Sequence, residues 1–141
     1  MGEARPRLFQ KMGSDPTNLG RWTWAKIQGR NGHFLRVVSA YQPVKNTSET
    51  GSSYQQQLRY FREQGVHECP RTLFVRDLKH QIQEWLQEGD HIIVGLDAND
   101  DIRKSPVRKM LVDQGLKESV LSINAPSVPP ETNYKNNKGS Y

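Results

Sequence analysis

The chain has 141 residues, 34% of them hydrophobic and 25% charged, and a formal net charge of +5. That length fits one domain with a modest core. A mean hydropathy of −0.82 and the lack of any apolar run of about 18 residues argue against a membrane-spanning helix, while the surplus of cations favours a phosphate-bearing ligand.

The first eighteen residues mix Pro, Gly, Ser, Asp and Asn without a period and read as an irregular N-terminal segment. They are basic but lack an apolar stretch, unlike a secretory signal. Pro6 stands where an N-myristoylation pattern needs Ser or Thr. From Arg21 the pattern changes: Trp22 and Trp24 alternate with smaller residues, which predicts a strand. Gly29-Arg30-Asn31-Gly32 carries the Asn-Gly turn signal, and Phe34 to Tyr41 reads as a second strand, antiparallel to the first. Pro43 cannot donate to a sheet ladder and ends it. After a polar loop from Lys45 to Ser53, Tyr54 to Gln64 predicts a helix closed by Gly65. Pro70 reads as an interruption. Phe74, Leu78, Ile82 and Trp85 then recur at helical spacing until Gly89.

His91 to Leu96 is a short apolar run that fits a central strand buried on both faces. Ser105-Pro106 starts a further helix, with Val107, Met110 and Leu111 on one face and Gly115 past its end. Leu116 to Ile123 is expected to return to the sheet, and a long loop follows from Asn124. Strands alternating with helices behind a hairpin give an α/β fold with a mixed sheet. The lone Cys69 has no internal disulfide partner, which points to an intracellular compartment. His33, His67, His80 and His91 are scattered without zinc-ligand spacing and read as structural or solvated.

Chemistry concentrates at two predicted strand ends. Asp97-Ala98-Asn99 follows the apolar strand, at the end where open α/β sheets bind ligands. Alternation on an extended segment sends Asp97 and Asn99 the same way. The carboxylate then orients a water or accepts a proton, and the amide donates to a phosphate oxygen or binds a hard metal through its oxygen. Asx residues also favour turns, so a local cap built from Asn99, Asp100 and Asp101 is the competing reading. The earlier strand ends in Ser39-Ala40-Tyr41-Gln42-Pro43, where the tyrosine hydroxyl suits a phosphate oxygen, although an aromatic at a strand end is more often packing.

Taken in order, A-Y-x-P, an insert with an amphipathic helix, and I-I-V-G-x-D-x-N resemble the endonuclease/exonuclease/phosphatase superfamily. The Gln-Gln, Leu-Arg-Tyr and Arg-Asp-Leu elements between Gly51 and Asn99 look most like its retroelement-type endonucleases. The resemblance spans roughly residues 19–132, leaving 133–141 as a tail. It implies a partial four-layer α/β sandwich, Mg²⁺ as cofactor, and DNA as the partner whose phosphodiester bonds are cut. It assigns Asp97 to the attacking water, Asn99 to the scissile phosphate or the metal-bound oxygens, and Tyr41 to a phosphate oxygen.

The sequence departs from the family pattern in three places. Leu96 separates Gly95 from Asp97. No strand-borne glutamate precedes the pattern, Glu3 being the only early one. No Ser-Asp-His segment follows Pro130-Glu131-Thr132. The resemblance therefore implies a domain truncated at both ends and a fragment with little hydrolysis of its own, since one lost electrostatic stabiliser costs about 10²–10³ in rate. The alternatives are a phosphatase of inositol phosphates or lipids, and a non-catalytic nucleic-acid-binding fragment.

Basic residues that suit a phosphodiester backbone are Arg103, Lys104, Arg108 and Lys109, just after the D-x-N segment. Others flank the first strand (Arg21, Lys26, Arg30) and the middle helices (Arg59, Arg62, Arg71, Arg76). Solvated helix faces carry such charges too. Trp22 and Trp24 offer rings for base stacking but fit core packing better.

Overall fold

The computed structural model describes residues 8–119. It divides into two units, Met1–Asn99 and Asp100–Tyr141. In the first, four strands form one sheet in the order β1-β2-β3-β4. They are β1 (Phe9–Ser14), β2 (Trp22–Gln28), β3 (Phe34–Tyr41) and β4 (His91–Asp97), with helices α1 (Ser53–Glu63) and α2 (Pro70–Gln87) between β3 and β4. The first three strands are antiparallel neighbours and β4 runs parallel to β3, so the sheet is mixed and the fold α/β. The second unit holds α3 (Pro106–Asp113). No helix among the described residues is long and apolar enough to cross a membrane.

The β2–β3 hairpin closes as the sequence predicts. Asn31 and Gly32 take left-handed φ of 58° and 74°, the conformation Asn-Gly supplies at low cost. Gly29 N–H bonds the His33 carbonyl at 2.7 Å. Helix α1 begins where the Ser52 hydroxyl accepts from Gln55 N–H at 3.2 Å, an N-cap that satisfies an otherwise orphaned donor. Pro70 does not interrupt the chain; it opens α2 at the first helical position, where its missing N–H costs nothing.

Both helices cover one face of the sheet. Trp22, Val38 and Ala40 are buried there, as are Tyr54, Phe61, Leu73, Phe74, Leu78, Ile82 and Trp85 of the helices. Each large apolar side chain so buried contributes about 1.5–3 kcal/mol. Trp22, 2% exposed, meets Phe74 edge to face at 6.1 Å. Trp24 meets Trp85 similarly at 5.8 Å. The tryptophans are thus packing residues.

Three further expectations change. The N-terminal segment is not irregular throughout, because Phe9–Ser14 pairs antiparallel with β2. Gly13 permits this, since a Cβ there would stand 2.5 Å from the Trp24 ring. Second, β4 is not a strand buried on both faces. Among the described residues it pairs with β3 alone, and alternate side chains are exposed, with Ile93 at 55%. An apolar run fills one face and leaves the other bare when no further layer covers it. Third, Leu116 to Glu118 forms no strand. The rest of that expected strand, the loop from Asn124, Pro130-Glu131-Thr132, the tail 133–141 and Glu3 lie outside the described residues.

Two arginines are buried under the helices. Arg21 binds Asp15 through Nε at 2.6 Å and Asp77 through Nη1 at 2.9 Å, against the rings of Trp22 and Phe61. Arg36 binds Asp90 through Nε at 3.0 Å and Glu88 through Nη2 at 3.0 Å, with its guanidinium 4.4 Å from the Trp24 ring centre and 4.9 Å from that of Trp85. Arg21 is therefore a core residue and not a surface cation.

Candidate functional site at the β3 and β4 strand ends

The parallel register pairs Tyr41 with Asp97, so the last residues of β3 and β4 stand side by side on the sheet face that the helices leave open. Both are exposed, Tyr41 at 40%. The pairing continues for one more bond, from Gln42 N–H to the Asp97 carbonyl at 2.9 Å. Parallel pairing across a helical crossover is what delivers residues far apart in sequence to one strand end.

Asn99 reaches the same place by another route than alternation. The strand stops at Asp97, and Asn99 has a left-handed φ of 47°. Its backbone N–H bonds Asp97 Oδ1 at 3.3 Å, and its Nδ2 donates to the Gln42 carbonyl at 2.8 Å. An Asx turn has replaced the expected extended segment, because a short polar side chain can satisfy its own backbone. The amide ties the two strand-end loops together, leaving Asn99 Oδ1 and a second N–H unassigned. Asp97 Oδ2 has no partner among the described residues.

Arg71, on the first turn of α2, braces the platform from behind. Its Nη1 donates to the Pro43 carbonyl at 2.7 Å and its Nη2 to the Ala98 carbonyl at 3.4 Å. Gln42 is buried, and its Nε2 donates back to the Arg71 carbonyl at 3.3 Å. One guanidinium thus spans the backbone of both loops that carry the candidate residues. The sequence offered no sign of this, because an arginine after a helix-starting proline reads like any exposed cation.

Magnesium takes oxygen ligands, commonly one or two carboxylates with several waters. Among the described residues no group of three or more His, Cys, Asp or Glu side chains is placed to hold an ion. The strand ends offer one carboxylate, Asp97, beside an amide nitrogen already committed to Gln42. The described side chains do not make up a magnesium site.

The basic residues after the D-x-N segment belong to the second unit and are largely occupied within it. Arg103 pairs with Asp101 at 3.1 Å, Arg108 with Glu118 at 2.6 Å and Lys109 with Asp113 at 2.9 Å. The Arg103 side-chain and backbone bonds hold the Asp101 carboxyl below its ordinary range. Lys104 makes no ion pair among the described residues. Asp101 also accepts the Arg103 backbone N–H at 3.0 Å, the local turn that the Asx-rich run allows.

No known protein family, curated protein or solved structure matches the chain.

Proposed function

We propose that the β3 and β4 strand ends grip a phosphate ester, and that the chain is part of a phosphodiesterase acting on DNA. The carrying observation is the side-by-side placement of Tyr41 and Asp97 on adjacent parallel strands, with Asn99 fastened across them. In this reading the Tyr41 hydroxyl donates to a phosphate oxygen. Asp97 Oδ2 orients the water that attacks phosphorus and takes up its proton, while the P–O bond to one sugar oxygen breaks and that oxygen leaves as a hydroxyl protonated from solvent. The remaining amide donor of Asn99 meets a second phosphate oxygen. Fixed donors aimed at a phosphoryl group are worth most when they need no rearrangement, and the Arg71 brace supports that condition. The uncovered sheet face supports the sandwich form of the fold, in which a second sheet packs about 10 Å from the first.

The test is relaxation of supercoiled plasmid with Mg²⁺ in the buffer. Asp97→Ala is expected to abolish any nicking by the wild-type chain, and Tyr41→Phe to slow it by about 10²–10³. Nicking undiminished in Asp97→Ala removes the reading. Phosphate release from an inositol polyphosphate, without nicking, transfers it to the phosphatase branch. A wild-type chain that binds DNA and never nicks it leaves only a binding role, which the ion-paired state of most D-x-N-adjacent cations does not supply.

A further inference from the structure

We infer that the exposed side of α1 carries a groove that holds the phosphodiester backbone of duplex DNA through Arg59 and Arg62. The inference takes from the preceding reading its ligand and nothing of its hydrolysis.

Arg59 and Arg62 stand three residues apart on α1, so their side chains rise from one strip of the helix with Cβ atoms about 5–6 Å apart. Together with Thr50, Gln55, Leu58 and Glu63 they line a groove of about 360 Å³. Their guanidiniums are uncommitted, as are the side-chain cations of Arg30 and Lys104, but Arg59 and Arg62 line one groove together. Arg21 and Arg36 are buried in ion pairs, Arg71 spans backbone carbonyls, Arg76 holds Glu68 and Asp77, and Arg108 holds Glu118. The Arg59 and Arg62 side chains make no ion pair or hydrogen bond among the described residues. Glu63 lies four residues from Arg59 in the same groove yet does not pair with it.

Two exposed guanidiniums at this spacing suit successive phosphates of one strand, because each offers a planar fork of donors to phosphate oxygens. Leu58, half-buried in the same groove, presents an apolar wall to a sugar, and Thr50 adds a hydroxyl. Gln55 is fixed by its Nε2 bond to the Asn46 carbonyl at 2.8 Å. Asn46 in turn orders its loop by accepting from Ser48 and Glu49 N–H, each at 3.0 Å. That loop is the one leaving β3 at Gln42 and Pro43, so the groove wall and the candidate site share a continuous, hydrogen-bonded stretch of chain. Glu63 at the groove disfavours a compact polyanion that would fill it. An extended backbone can lie on the arginines and pass the carboxylate by.

The experiment measures fluorescence anisotropy of a short labelled DNA duplex with the 141-residue chain across a sodium chloride series, without added metal. The double variant Arg59→Gln/Arg62→Gln is expected to flatten the log–log salt dependence of binding by about 1.8, the value for two lost phosphate contacts at about 0.9 each. Lys11→Gln/Lys79→Gln removes the same net charge from exposed positions on β1 and α2 and is expected to leave the slope nearly unchanged. All four positions are exposed, and an unchanged far-ultraviolet circular dichroism spectrum verifies folding of both variants. An equal change of slope in the two double variants overturns the inference, since net charge alone would then account for binding. So does a wild-type slope in the Arg59/Arg62 variant, a chain that binds no DNA, or one that binds anionic lipid vesicles in its place. Because nicking is not read, failure of hydrolysis and failure of this groove give different results.

Discussion

The two faces of the sheet invert the usual placement of charge. Under α1 and α2 lie Arg21 with Asp15 and Asp77, and Arg36 with Asp90 and Glu88, in ion pairs whose arginines are 1% and 3% exposed. On the other face the register aligns Phe9, Met12, Ala25, Ile27, Leu35, Val37 and Ile93. Among the strand residues of that face, Asp97 is the one Asp, Glu, Lys or Arg. Each face makes sense in terms of what it meets. A buried guanidinium is tolerable when carboxylates answer its donors and aromatic rings answer its faces. An exposed apolar sheet face marks a surface to which a partner or a further layer belongs.

The largest expected effect tests the covered face. Asp90→Ala leaves Arg36 buried without its main partner and should cost about 3–5 kcal/mol in urea unfolding. Replacing the pair together, as Arg36→Met with Asp90→Leu, should cost markedly less, because no unpaired charge remains. If the double variant is as unstable as the single, the pair is needed for more than mutual neutralisation.

A smaller effect concerns acid. Burial by itself raises the Asp15 carboxyl, but bonds from Arg21 and Thr17 outweigh it and hold the group below its ordinary value of 3.8. Because the folded value is depressed, the stabilisation is complete above that ordinary value. It is lost as pH falls through the lower folded one. Urea midpoints should therefore drop below about pH 4, and the drop should be shallower in Asp15→Asn. An identical acid profile in the variant would assign the loss to other carboxylates.

The smallest effect belongs to the open face. Ile93→Lys should change stability by less than about 0.5 kcal/mol, as surface substitutions do. A loss several times larger would mean that the face is covered in solution.

The legible parts of this molecule were those whose signal is local. Trp22, Trp24 and the Asn-Gly turn announced the hairpin, and Phe74, Leu78, Ile82 and Trp85 announced α2. Strand β1 carries no such pattern in Gln10 and Lys11; pairing with β2 makes it a strand. The burial of β4 was not legible, because an apolar run reports its own composition and not how many layers surround it. The arginine pairs were illegible for a similar reason, since Arg36 and Asp90 lie 54 residues apart. At the candidate site Tyr41 and Asp97 were visible as strand ends. The route taken by Asn99 was not, because an Asx turn and an extended step share the same sequence, and Arg71 read only as a surface cation.

The long crossover between β3 and β4 also sets an order of events. The β2–β3 hairpin needs only its turn and can close within about 1–10 μs. Asn99 meets the Gln42 carbonyl across a separation of 57 residues, after two helices have formed and docked. Closing so large a loop postpones that encounter, since its entropy is lost before the contact repays it. The Tyr41–Asp97 pairing should thus be among the last native features to appear during folding, and a probe placed there would report the arrival of the finished unit.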